Sequence, residues 1–132
     1  MTRFAIDAPV ALRLVRGTAT VAEGHQLVGA AALRSDAMAI LYSEVRVGSL
    51  AEKDARTLLE GVAGLKIRLL GDRGSRALAW RIATARGWDD VRRAELLAVA
   101  SLQADALVTE DAALAADADG IVPLASVGDL AR

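Results

Sequence analysis

Two aspartates stand where an α/β protein can do chemistry. Asp7 directly follows the apolar run Phe4-Ala5-Ile6, and Asp111 comes two residues after Thr109, at the end of the run Ala106-Leu107-Val108-Thr109. Both runs read as short strands, and ligands of parallel sheets bind beyond the carboxyl ends of the strands. On neighbouring strands, about 4.8 Å apart, the two carboxylates would repel. One of them would then take up a proton, or a cation would sit between them. Asp36 is a third candidate. At helical spacing it shares a face with Leu33 and Ile40, read here as inward positions, and a lone carboxylate on an apolar face is costly unless paired or metal-bound. Each acid also has a plainer use: Asp7 and Asp111 as caps of the helices that follow them, Asp36 as an exposed acid beside Arg34.

Composition narrows the chemistry. The chain has 132 residues, no cysteine and a single histidine, His25. Thiolate metal sites, iron–sulfur clusters, disulfides, a cysteine nucleophile and multi-histidine metal sites are thereby excluded. An oxygen-only ligand set of carboxylates suits Mg²⁺ or Mn²⁺. His25, in an irregular stretch, reads as structural or solvent-exposed. The net charge of −1 is not that of a strong nucleic-acid binder, but the arginines cluster between Arg68 and Arg93, so a neutral total can conceal a basic face. Trp80 and Trp88 are expected to pack against the sheet or a partner subunit, with base stacking as the alternative use. Gly71 and Gly74 flank Asp72-Arg73, yet no Gly-Lys-Ser/Thr follows, so no phosphate loop is formed. Glu95 lies three residues after Arg92 and suits a simple ion pair, while Asp89 and Asp90 suit the cap of the same helix.

These residues need a scaffold, and the pattern supplies one. A length of 132 residues fits one domain, taken as 1–132, with a core of Ala, Leu, Val and Ile, because only 3% of residues are aromatic. The spacing predicts strands at 4–6, 27–28, 67–70, 106–109 and 121–122. It predicts helices from Pro9 to Val15, from Ala30 to Gly48, over 52–63, from Asp72 or Ser75 to Arg86, over 90–102, over 112–116 and from Ser126; residues 18–26 are ambiguous, with a short helix as one reading. Ser49-Leu50-Ala51-Glu52 has the form of a capping box. Strands separated by helices imply a mostly parallel sheet covered on both faces. No apolar run reaches the roughly 18 residues of a membrane span, and no leader is evident, so a cytoplasmic protein is expected.

Three stretches carry a family resemblance. Ala-Leu-Arg-Ser-Asp at 32–36, Ile-Arg-Leu-Leu-Gly-Asp-Arg at 67–73 and Leu-Gln-Ala-Asp-Ala-Leu-Val-Thr-Glu-Asp at 102–111, in that order after a strand ending in Asp7, resemble PIN domains, and more closely the bacterial VapC-type toxins. The resemblance extends over nearly the whole chain. It implies a PIN-like three-layer α/β/α fold with a short, mostly parallel central sheet. It further implies a metal-dependent ribonuclease, the toxin of a type II toxin–antitoxin pair, using Mg²⁺ or Mn²⁺ and accompanied by a cognate antitoxin and a second copy of the chain. Asp7 matches the first family acid, Asp36 falls where the family has Glu, Asp111 matches the last acid, and Thr109 matches the threonine before it. The remaining acid belongs early in the penultimate long helix, in a Tyr-Asp-Ala pattern. This chain has Arg92-Arg93-Ala94 there, so Arg93 takes the acid's place.

The implied reaction is phosphodiester hydrolysis with Asp7, Asp36 and Asp111 as catalytic metal ligands. Thr109, Glu95 and Asp90 would support them, and Arg73, Arg92 and Arg93 would bind RNA. The alternative is a catalytically degenerate PIN domain that binds RNA or an antitoxin. A third reading, with Asp7 as a phosphoryl acceptor, lacks the extra acid pair such a site requires.

Overall fold

A computed structural model describes residues 1–132. The chain runs β1 (Arg3–Ile6), α1 (Ala8–Val15), β2 (Gln26–Ala30), α2 (Leu33–Arg46), α3 (Glu52–Gly64), β3 (Arg68–Leu70), α4 (Arg73–Arg86), α5 (Arg92–Gln103), β4 (Ala106–Val108), α6 (Ala112–Asp117), β5 (Leu124–Ala125) and α7 (Val127–Leu130). The five strands form one sheet in the order β3-β2-β1-β4-β5, and every pairing is parallel. The expected α/β class and the central parallel sheet are thus present.

Alternation along β1 explains the layers. Phe4 and Ile6 pack with Val10, Leu12, Leu33 and Leu41 under α1, α2 and α3 on one face. Ala5 points the other way and packs with Val28 and Leu107 against Leu97, Val99 and Leu114 of α5 and α6. Strands buried on both faces read as unbroken apolar runs, as Phe4-Ala5-Ile6 and Ala106-Leu107-Val108 do. Helix α4 lies outside α5 rather than on the sheet. Its Ala79 and Ala83 meet Ala94 and Ala98, and four small side chains let the two helices approach closely.

Several expectations change. The last strand is Leu124–Ala125, not 121–122. Ile121 and Val122 belong to a turn whose amides donate to the Ala118 carbonyl; their apolar side chains pack under the sheet, and pairing with Leu107 begins only at the Pro123 carbonyl. The capping box at Ser49 is absent. Ser49 Oγ donates to the Glu44 carbonyl at the end of α2, and the N-cap of α3 is Ala51 without a side-chain bond. Residues 30–32 are not helical, since Ala30 ends β2 and α2 begins at Leu33. Residues 18–25 form turns and irregular backbone.

Candidate functional site

The parallel sheet sends the ends of β1, β2 and β4 to one edge, and the acids gather there. Asp7 is the N-cap of α1: its Oδ1 accepts from the Val10 amide at 3.1 Å. Asp111 is the N-cap of α6: its Oδ1 accepts from the amides of Ala113 at 2.9 Å and Leu114 at 3.2 Å. The capping and chemical uses of these residues coexist, because a carboxylate oxygen at a cap keeps spare lone pairs. Thr109 joins the two. Its hydroxyl donates to Asp7 Oδ2 at 2.5 Å, and its Oγ1 accepts from the Asp111 amide at 3.1 Å. Arg13 on α1 clamps the same loop from outside through Glu110 at 2.6 Å.

Burial pushes the Asp7 carboxyl above its ordinary value of 3.8. The Thr109 and Val10 hydrogen bonds oppose that rise, and the neighbouring Asp111 charge reinforces it. Asp7 is thus a half-buried carboxylate made more costly by a like charge. A cavity of about 300 Å³ opens above it. Its walls include Asp7, Asp36, Glu95, Asp111, Arg92 and Arg93 alongside apolar groups such as Ile6, Leu33 and Leu96. Asp36 is exposed on α2 and reaches the cavity from the side; the inward placement inferred from Leu33 and Ile40 does not hold, because α2 starts at Leu33 and only Leu33, Ala37 and Leu41 define its buried stripe.

The charges on the cavity wall are unevenly paired. Arg92 grips Asp90 through Nε and Nη2 and holds that carboxyl down at about 2. Asp90 is therefore spent on Arg92, both through the guanidinium and by accepting from its amide, and Arg92 does not pair with Glu95. Arg93 Nη1 stands 3.2 Å from Asp117 Oδ2, without hydrogen-bond alignment, and its guanidinium lies 4.7 Å from the centre of the Trp88 ring. Asp117 as the partner of Arg93 was not legible in the sequence, because the contact joins the start of α5 to the end of α6. None of the molecule's ion pairs involves Asp7, Asp36, Asp111 or Glu95. Four carboxylates without a cationic partner therefore share one cavity, while its two arginines are engaged elsewhere.

Donor chemistry suits a hard divalent cation: the unpaired groups are all carboxylates, and the half-buried one lacks a counter-charge. No three acidic or histidine side chains are drawn together closely enough to form a coordination shell as they stand. Arg73, at the first turn of α4, has no carboxylate partner. His25 is structural: its Nδ1 accepts from the Thr2 amide at 3.4 Å and its ring meets Phe4 edge to face.

No family model matches the sequence, and no curated protein matches it. Solved structures do. The crystal structure of PAE2754 from Pyrobaculum aerophilum superposes with a TM-score of 0.76 at 23% identity, over 98% of this chain and 92% of that one. VapBC2 from Rickettsia felis, solved bound to a DNA fragment from their promoter, superposes with a TM-score of 0.67 at 6% identity, over 94% of this chain and 98% of that one. The fold is accordingly PIN-like, as the sequence motifs implied. No helix is long and apolar enough to cross a membrane.

Proposed function

We propose that this chain is a Mg²⁺- or Mn²⁺-dependent ribonuclease of the VapC type, the toxin of a type II toxin–antitoxin pair. The observation that carries the proposal is the unpaired carboxylate set, Asp7, Asp36, Asp111 and Glu95, on one cavity at the carboxyl edge of a PIN-like sheet. Asp7, Asp36 and Asp111 would hold the cation, and Glu95 would stand in for the family acid that Arg93 replaces. A bound cation supplies a polarised phosphate and an attacking water of lowered pKa. The protein's own contribution is preorganisation. Thr109 fixes Asp7, Ala113 and Leu114 fix Asp111, and Ile6, Leu33 and Leu96 form an apolar wall of the same cavity. A small antitoxin, a second copy of the chain and a cytoplasmic setting belong to the same proposal. They rest on the resemblance and on the VapBC2 likeness.

A second reading has its own observation. Arg93 places a cation where the family has an acid, and its engagement with Asp117 and Trp88 keeps it there. That favours a degenerate PIN domain that binds RNA or an antitoxin without cutting. Incubating pure protein with a mixed structured-RNA pool and Mg²⁺ or Mn²⁺ separates the two. Cleavage abolished by chelator and by Asp7→Asn with Asp111→Asn supports the nuclease. The Asn variants keep both helix caps, so loss of cleavage would not reflect loss of the fold. Absence of cleavage by folded wild-type protein, with cleavage appearing in Arg93→Asp, establishes the degenerate module.

A further inference from the structure

Helix α4 carries four arginines, Arg73, Arg76, Arg81 and Arg86, and no acidic residue, in a chain whose net charge is −1. None of the four forms an ion pair. Arg86 is committed to the carbonyls of Asp117 and Asp119, to which its guanidinium donates. Arg76 donates one Nη to the Gly71 carbonyl and keeps its remaining donors. The nearest acid, Asp72, is the N-cap, committed to the Ser75 amide at 2.8 Å. Arg73, Arg76 and Arg81 are therefore exposed cations that the protein itself leaves unneutralised.

Trp80 stands among them and is 72% exposed. Of the uses the sequence allows it, packing on the sheet, packing on a partner subunit or stacking on a base, the first is excluded: Ala79 and Ala83 take the packing positions of α4, and Trp80 projects to the side, about 60–100° round the helix from them. At 100° per residue, Arg73, Ala77, Trp80 and Thr84 follow one stripe, with Arg76 and Arg81 on its two borders. Small neighbours at Ala77 and Thr84 leave the indole face open. Position adds to composition. α4 begins three residues after β3, at the carboxyl edge of the sheet, and Gly87 just beyond its last turn lines a second, polar cavity together with Asp36, Arg92 and Arg93. The end of the helix thus adjoins a cavity that shares Asp36, Arg92 and Arg93 with the carboxylate site, its start follows β3 on the same edge of the sheet, and it is about 21 Å long.

We propose that the outer face of α4, Arg73, Arg76, Trp80 and Arg81, is a binding track for single-stranded RNA, with Trp80 stacking on a base and the arginines holding the flanking phosphates. Guanidinium groups beside an exposed aromatic ring match a strand that alternates charge with flat bases, and the match needs no sequence readout. An acidic peptide would satisfy the arginines and leave the indole without a stacking partner. The track deepens the ribonuclease reading by giving the substrate a second point of attachment. It rests on RNA being the ligand, though not on cleavage.

The test is therefore one of binding, in chelator, with the Asp7→Asn protein and a fluorescein-labelled single-stranded RNA of about 20 nucleotides, read by anisotropy. Trp80→Ala is expected to weaken binding about fivefold or more, and Trp80→Phe to retain most of it. Replacing Arg73, Arg76 and Arg81 together by Gln is expected to make the salt dependence shallower by about 2 in slope. These side chains are exposed, and an unchanged circular dichroism melt confirms that the variants fold. Wild-type affinity and salt slope in all of these variants, or no RNA binding at all, would overturn the track. So would a poly-glutamate peptide that binds in a manner dependent on α4 where RNA does not. Cleavage without any α4 dependence refutes the track and leaves the nuclease standing, whereas RNA binding that depends on α4 without cleavage does the reverse.

Discussion

At the scale of single residues, Asp7 sets the behaviour of the site. Its carboxyl is pushed above 3.8 chiefly by burial, so between that value and its raised folded value the native state holds more protons than the unfolded chain. Stability contributed by this residue therefore falls as pH rises through that window, and the ionised group leaves the protein less stable above it. Asp7→Asn is expected to melt at a higher temperature than wild type near neutral pH, with the difference vanishing below pH 3.8, which paired melts across pH would check. Mn²⁺ is expected to raise the melting temperature of wild type and leave Asp7→Asn unmoved, since only a ligand of the native state stabilises it by mass action. Arg93 is the second decisive residue. Arg93→Asp removes the partner of Asp117, an acid whose Oδ2 is buried without a hydrogen bond, so a loss of about 1–3 kcal/mol in denaturant unfolding is expected whether or not cleavage is gained.

At the scale of elements, the site is built from helix starts. β1 and β4 each end one residue before, or three residues before, an aspartate that caps the next helix, so the turn that closes the strand also aims a carboxylate outward. The order apolar strand, Asp, helix was legible in the sequence for this reason. Less legible was the junction between α4 and α5. Gly87 adopts φ 68° and closes α4 in the left-handed conformation, and the chain then turns so that Trp88 lies beneath Arg93. A β-carbon at Gly87 meets no neighbour, so the cost of Gly87→Ala is conformational. It is expected to reduce stability by about 1 kcal/mol in denaturant titration. The failed capping box at Ser49 shows the opposite limit. The right residues at the right spacing did not form the motif, because the end of α2 claimed the serine hydroxyl first.

At the scale of the whole molecule, the three-layer packing determines which charges meet. Residues from α1, α2, α5 and the start of α6 reach one cavity only because β1 lies between β2 and β4. α4 depends on that framework indirectly, through its Ala79 and Ala83 against Ala94 and Ala98 of α5. Enlarging one of them, as in Ala79→Leu, is expected to cost about 1–3 kcal/mol by overpacking. It should also displace the α4 face, so RNA binding would weaken along with stability. Leu97→Ala, at a fully buried position of α5, is expected to cost about 2–5 kcal/mol.

The sequence by itself determined the α/β class, most element positions, the caps at Asp7, Asp72 and Asp111, and the candidates that share the cavity. These are local properties, written in strand runs, helical spacing and cap residues within a few positions of one another. Only the tertiary structure decided that Asp36 is exposed, that the last strand begins after Pro123, that Arg93 faces Asp117, and that Trp80 is open to solvent. Each of those depends on what a distant segment brings to the same place. Burial, electrostatic pairing and strand register are settled by neighbours in space, and the spacing of residues along the chain does not contain them.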